Sequence, residues 1–169
     1  MITIRPEEPR DLKAIHDVNR HAFGQSLESD IVDALRIAGA LSISLVAAEA
    51  GQIVGHIAFS PVAIETNPKD LPILGLGPMA VAPEFQKQGI GAQMISRGLK
   101  LCRAGGFRVV VVLGHPSYYP RFGFQPSHPF GISWENECPK EAFMILELDE
   151  GALESLSGAV RYHSAFASS

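Results

Sequence analysis

Six consecutive residues, Gln86-Lys87-Gln88-Gly89-Ile90-Gly91, have the composition and the placement to bind an anion. They follow an apolar run, Ile73 to Val81, that reads as a strand, and they open a run from Ala92 to Ala104 that reads as a helix. The first N–H groups of a helix have no intrahelical acceptor and stand at the positive end of its dipole. Lacking a Cβ, Gly89 and Gly91 let a phosphate or pyrophosphate come within hydrogen-bonding distance of those amides, and either glycine can take a positive φ. Gln86 and Lys87 add donors at the rim. A Gly-x-Gly turn entering a helix serves tight packing as readily as ligand binding, so the surrounding residues decide between the two.

Other chemistry lacks its parts. Gly75-Leu-Gly77-Pro-Met-Ala80 imitates the dinucleotide pattern Gly-x-Gly-x-x-Ala, but it lies in or before a strand, contains Pro78 and opens no helix. Neither Gly-x-x-x-x-Gly-Lys-Ser/Thr nor Gly-x-Ser-x-Gly occurs, which removes the P-loop and the hydrolase elbow. Cys102 and Cys138 have no Cys or His cluster near them and read as free thiols. His16 and His21 point to divergent helix faces, and His115, His128 and His163 are isolated, so no metal is expected.

The spacing Gln-x-x-Gly-x-Gly, with Met79-Ala80-Val81 and Pro83 before it and Tyr119-Pro-Arg-Phe-Gly123-Phe124 further on, resembles the Gcn5-related N-acetyltransferase (GNAT) family. The resemblance covers most of the chain. It implies an α/β (α+β) single domain over residues 1–169, with a mixed central sheet flanked by helices and strands splayed at the acetyl-CoA cleft. It implies an N-acetyltransferase that passes the acetyl group of acetyl-CoA to a primary amine by direct attack in a ternary complex. The rival reading is a non-catalytic acyl-CoA-binding sensor of the same fold.

Carried over by position, Met79 and Val81 match strand residues whose backbone pairs with the pantetheine amides, although both also suit a plain core strand. Gln86, Lys87, Gln88, Gly89, Ile90 and Gly91 match the pyrophosphate turn. Tyr119, four residues before Gly123, stands where the family has a Tyr facing the departing sulfur; alternatively Tyr118, Tyr119 and Phe122 form an aromatic core patch. A thiol ionises near pKa ~8.5 and a phenol near ~10, so a phenol there acts mainly as a hydrogen-bond donor to developing thiolate charge. Many members carry an Asn before this Tyr, where this chain has Val112 and an abbreviated Gly114-His115-Pro116 connection. The strand leading to the turn carries no Glu, which leaves His56, Glu28, His115 or a water relay to take the amine's proton. The expected partner is a small-molecule or peptide amine acceptor, bordered by the segment from Gln25 to Asp30 and the loop from Ser127 to Pro139. A homodimer is left open.

With 169 residues and 46% hydrophobic composition, the chain has enough apolar surface for one well-buried core. Fourteen basic against eighteen acidic residues, net −4, supply no field for nonspecific nucleic-acid binding. The apolar runs are strand-length, and Met1-Ile2-Thr3-Ile4 begins a strand rather than a leader, so no membrane partner and a cytoplasmic location are expected.

The elements that must hold the turn follow from periodicity. Ile2 to Arg5 is a first strand. Leu12, Ile15, Val18, Ala22 and Phe23 mark a helix stopped by Gly24, and Ile31, Leu35 and Ala38 mark a second, capped by Ser26 or Ser29 and closed by Gly39. Leu41 to Glu49, a turn at Ala50-Gly51, and Gln52 to Glu65 read as an antiparallel hairpin. The helix after the glycine turn puts Met94, Ile95, Leu99 and Cys102 inward and Arg97, Lys100 and Arg103 outward. Val109 to Leu113 is a β-branched run of the kind covered on both faces, which completes a βαβ unit. Ser117 to Phe122 has room for one or two helical turns. Glu141 to Leu148 is a last strand, and Glu150 to Ser169 thins into a tail, its last fifteen or so residues Ser- and Ala-rich.

Overall fold

Glycine-bearing breaks in the N-terminal half close the elements that precede them. Gly24 takes φ 69° and caps α1 (Leu12–Phe23) by donating its N–H to Arg20 O. Ala50 and Gly51 turn the hairpin at φ 51° and 79°, two consecutive left-handed residues that match the twist of the strands they join. The structure, a computed structural model, describes residues 1–167. After β1 (Thr3–Pro6) and α1 come α2 (Leu27–Ile37), β2 (Ile43–Glu49), β3 (Gln52–Pro61), β4 (Ala63–Thr66), β5 (Ile73–Val81) and α3 (Ile90–Ala104). β6 (Val109–Leu113), β7 (Gln125–Pro126), β8 (Ile132–Trp134), β9 (Phe143–Glu147) and β10 (Ser157–Arg161) complete the order. Their contacts divide the chain into two compact units.

The first unit comprises residues 1–60, 77–101 and 164–167. Its strands run β1, β2, β3 and then the second half of β5. β1 is antiparallel to β2 from Thr3↔Ala48 to Pro6↔Leu45, and β2 is antiparallel to β3 from Ile43↔Phe59 to Glu49↔Gln52. Successive residues of a strand face opposite sides, and β3 is covered on both. On one side Ile15 of α1 and Val32 of α2 pack with Val46, while Ile31, Leu35 and Ala40 pack with Ala165. On the other lies α3, so close that a Cβ on Gly98 would sit 2.5 Å from Phe59 Cε1, and one on Gly55 3.1 Å from Met94 Cε. Met94, Ile95, Leu99 and Cys102 are buried and Arg97, Lys100 and Arg103 exposed, as the periodicity predicts.

The second unit comprises residues 61–76 and 102–163. The first half of β5 is parallel to β6 from Ile73↔Val109 to Leu76↔Val112, and β9 is antiparallel to both β6 and β7. β10 is antiparallel to β4 and parallel to β8. Val109 to Val112 are at most 1% exposed, which is the two-sided burial their β-branched run predicts. Ile73, Val111, Ile132, Phe143, Ile145, Leu153, Leu156 and Val160 form the core.

Four features correct the sequence reading. The strand expected from Gln52 to Glu65 is two strands, because Pro61 has no N–H to continue the ladder, and β4 pairs instead with β10. Residues 150–167 are not a tail. They carry a 3-10 turn at Ala152–Ser155, then β10, then another turn at Ser164–Ala167; Leu153, Leu156, Val160 and Ala165 are buried. These four are too sparse to show a period, and only their partners make them core; Ser168 and Ser169 lie outside the described residues. The loop from Ser127 to Pro139 contains β8. Ser26 precedes α2 without a side-chain cap, and Ser29 instead donates to His16 O at 2.7 Å.

The Gly98 contact sets how closely α3 approaches β3. Gly98→Val should lower the unfolding free energy by about 1–3 kcal/mol through overpacking against the fully buried Phe59, and Phe59→Leu in the same chain should recover part of that loss. Urea denaturation of the two variants reads both effects.

Candidate functional site

The glycine turn is exposed from Gln86 to Gly89 and anchored on either side. Ile90 is 2% exposed and ties the start of α3 into the first unit. On the strand side Gln86 Nε2 donates to Val81 O at 3.0 Å, and Gln88 Nε2 reaches Glu84 O at 3.4 Å. Lys87 and Gly89 take φ 64° and 83°. A Cβ on Gly89 would meet nothing within 4 Å, so backbone conformation, not space, calls for glycine there. Gly91 lies in the first turn of α3. The bond from Gln93 N to Gly89 O, 3.1 Å, opens the helical ladder, and helix geometry then leaves the N–H groups of residues 89–92 ahead of it without intrahelical acceptors. In the adjoining half of β5, Pro78 and Ala80 are buried while Met79 and Val81 are half-buried.

Tyr119 belongs to the second unit, in a 3-10 turn at Tyr119–Phe122 closed by Gly123 at φ 101°. It is 9% exposed, and its ring meets Tyr118 edge-on at 5.1 Å and Phe124 at 5.8 Å. The aromatic patch therefore exists, and Tyr119 is its most enclosed phenol. Burial first, and then Tyr118, push the Tyr119 hydroxyl up to about 12. Full proton transfer from it to a thiolate of ordinary pKa ~8.5 is uphill by about 5 kcal/mol, so this phenol is suited to hydrogen-bond donation rather than to proton transfer. Burial also raises the Tyr162 phenol, with Tyr119 as the second cause. Tyr118 is half-buried, and Arg121 lies over its ring at 4.5 Å.

The candidate bases are all engaged. His115 Nδ1 faces the Ser117 hydroxyl at 2.8 Å, and Glu28 takes both its contacts from Gln25 Nε2 at 3.1 and 3.2 Å. His56 is fully buried inside a polar chain that the sequence did not reveal. Asn19 Nδ2 donates to Ile15 O and to His56 Nδ1, at 3.0 and 3.2 Å. Nε2 then carries the proton and donates to Ser44 Oγ at 2.8 Å, and Ser44 donates to Glu7, which Arg36 grips at 2.9 and 3.0 Å. The carboxylate binds the serine and not the imidazole, so this is no nucleophile–base pair. Burial alone would raise the Glu7 carboxyl, but the bonds from Arg36 and Ser44 outweigh it and hold it below its ordinary value. No local spacing links these residues; only the α1, β2 and β3 packing does.

Near this chain, His16, Asp30 and Asp33 bring ligand atoms within 4.8 Å of one another, but Asp33 already contacts His16 Nδ1 at 2.9 Å and Arg36 at 3.4 Å. In the second unit, a cavity of about 580 Å³ is lined by Trp134, His128, Glu137, Lys140 and Phe143 among others. Glu137 and Lys140 oppose one another there, so the charge selects no acceptor class. No helix among the described residues is long and apolar enough to cross a membrane.

Comparison with known proteins gives consistent matches. Residues 3–127 match the family model described as an acetyltransferase (GNAT) domain. The Escherichia coli (strain K12) protein named Uncharacterized N-acetyltransferase YhbS is 36% identical over 166 residues, 96% of this chain and 97% of that one. The crystal structure of Escherichia coli YhbS in complex with CoA superposes with a TM-score of 0.93 at 34% identity, over 98% of this chain and 92% of that one. A GNAT family acetyltransferase from Brucella melitensis, in complex with acetyl-CoA, gives 0.81 at 39% identity over 98% of both chains.

The buried chain at His56 makes an acid-dependent signature. Burial, opposed by the Glu7 charge, drives His56 from its ordinary 6.5 down to about 4. The unfolded chain binds this proton first, so stability is full above pH 6.5, falls as pH drops toward 4, and has lost roughly 3 kcal/mol there. Chemical denaturation at a series of pH values should show that slope, and His56→Gln should flatten it.

Proposed function

Because the chain belongs to the GNAT acetyltransferase family, we propose that it transfers the acetyl group of acetyl-CoA to a primary amine by direct attack in a ternary complex. The observation that carries this is the exposed turn from Gln86 to Gly89, with unpaired helix-start amides behind it and Gly89 in the left-handed region. The pyrophosphate accepts from the N–H groups of Gly89 to Gly91, with Lys87 supplying a counter-charge and Gln86 and Gln88 further donors. The backbone of Met79 and Val81 pairs with the pantetheine amides, and Ile90 holds the turn from beneath. Acetyl-CoA, which the Brucella relative binds, is the donor substrate.

In the reaction the amine nitrogen adds to the thioester carbonyl carbon, the tetrahedral intermediate collapses, and the C–S bond breaks to leave CoA thiolate. The Tyr119 hydroxyl donates a hydrogen bond to the sulfur as charge develops on it. The proton lost by the amine leaves through water, since both ring nitrogens of His56 are engaged. Cys102 is unsuited to a covalent acyl-cysteine route: it is buried and its thiol is pushed up to about 12. Free cysteines suit a reducing compartment, and we assign the protein to the cytoplasm.

An acceptor screen that follows free thiol release tests the activity. CoA affinity measured by calorimetry should fall about 10-fold or more in Gly89→Val, because a β-branched residue resists the left-handed backbone that Gly89 adopts. Tyr119→Phe should lower kcat on the order of 100-fold with acetyl-CoA affinity unchanged, while Tyr118→Phe stays close to wild type. Tight CoA binding with no turnover on any amine would instead favour the acyl-CoA sensor.

A further inference from the structure

Gly114 follows β6 directly, and its surroundings explain why it is glycine. Its φ lies outside the left-handed range, so its backbone is open to any L residue. Space is what it lacks. A Cβ there would lie 2.3 Å from Tyr119 Cε2, 2.9 Å from Cδ2 and 3.3 Å from Cζ, three atoms of a single ring. The backbone cannot yield readily, because Gly114 N–H donates to Ala142 O at 2.9 Å and the preceding Leu113 is in register with Phe143. Nor can the ring retreat freely. Tyr118 meets it edge-on, Phe122 stands at 6.5 Å, and Phe124, itself 2% exposed, stands at 5.8 Å.

We infer that Gly114 is a positioning residue for acetyl transfer: the space left by its missing side chain seats the ring of Tyr119 and thereby sets where the phenol hydroxyl is held. This rests on the role proposed for Tyr119. Cε2 is bonded to the carbon that bears the hydroxyl, so an added methyl group pushes on the functional end of the ring. Moving from 2.3 Å to the 3.4 Å of ordinary contact displaces it by about 1 Å, a misplacement on the scale that costs about 100-fold in rate. The abbreviated Gly114-His115-Pro116 connection thus has a use: it brings the strand end directly under the tyrosine.

Gly114→Ala should lower kcat about 10- to 100-fold and leave acetyl-CoA affinity unchanged. In the Tyr119→Phe background the same change should add little, because the hydroxyl being positioned is already gone; a purely structural effect would multiply. The chain has three tyrosines, so 3-fluorotyrosine labelling yields three fluorine resonances, assignable by single Tyr→Phe variants, and that of Tyr119 should shift most. A wild-type kcat in Gly114→Ala, an effect that multiplies with Tyr119→Phe, or an unmoved Tyr119 resonance overturns the seat. If Gly114→Ala does not fold, Tyr119→Ala in the same chain should restore folding by removing the ring, and failure to do so also overturns it. A silent Tyr119→Phe overturns the phenol's role and the seat's catalytic meaning together, whereas a slow Tyr119→Phe beside a full-rate Gly114→Ala overturns the seat alone.

Discussion

The contact of Phe59 with Gly98 is the constraint on which the first unit depends. A helix laid on a sheet is normally held off by the side chains between them, and here a fully buried aromatic ring fills that layer. With no side chain at Gly98 and none at Gly55, α3 settles directly onto β3, and Phe59 and Met94 fill the two spaces. The depth of α3 fixes the height of its first turn, and with it the direction of the amides at Gly89 to Gly91. Ile90 then pins the turn from inside, so the exposed segment from Gln86 to Gly89 has a rigid base. A preorganised set of amides is what makes a helix start useful to a phosphate group, since they need no reordering when it arrives.

The second unit uses the same device. Gly75 lies under Tyr162 as Gly98 lies under Phe59, with a Cβ there only 2.8 Å from the ring, and Gly114 lies under Tyr119. All three glycines have ordinary negative backbone angles; what each supplies is room for a ring. Gly89 shows the other use, with open space around it and a φ of 83°. The distinction has consequences for substitution. Alanine at a seat displaces a ring, whereas a side chain at Gly89 meets only its own backbone.

Beneath α1 the protein holds a directed polar chain whose inner members, Asn19 and His56, are buried and whose outer members, Ser44, Glu7 and Arg36, are half-buried. It converges on Glu7, from Asn19 through His56 and Ser44 on one side and from Arg36 on the other. Asn19 Oδ1 is left without a partner, but both ring nitrogens of His56 are engaged, so this imidazole cannot accept a further proton without breaking a bond of the set. His56, one of several candidate bases in the sequence, links β2, β3 and α1.

How much of this was legible depended on whether the cause was local. The strand from Ile73 to Val81, the glycine turn, the inward face of α3 and the two-sided burial of Val109 to Val112 all follow from neighbours within a few positions, through periodicity, helix-end geometry and β-branching. The GNAT resemblance came from that stretch together with Tyr119-Pro-Arg-Phe-Gly123-Phe124. Tertiary structure alone decided the rest. Pro61 was visible, but not that the strand beyond it would join β10; Leu153, Leu156 and Val160 were visible, but not the partners that make them core. His56 was seen as a candidate, and only packing brought Asn19, Ser44 and Glu7 to it. Nothing local marks Gly98 as a seat, because the ring it must accommodate, Phe59, is carried by β3; Gly114 was visible in an abbreviated connection, but not that Tyr119 of the following turn folds back over it. Local sequence determines a residue's own backbone and the face it presents; which side chain arrives against that face is settled by the packing of distant elements.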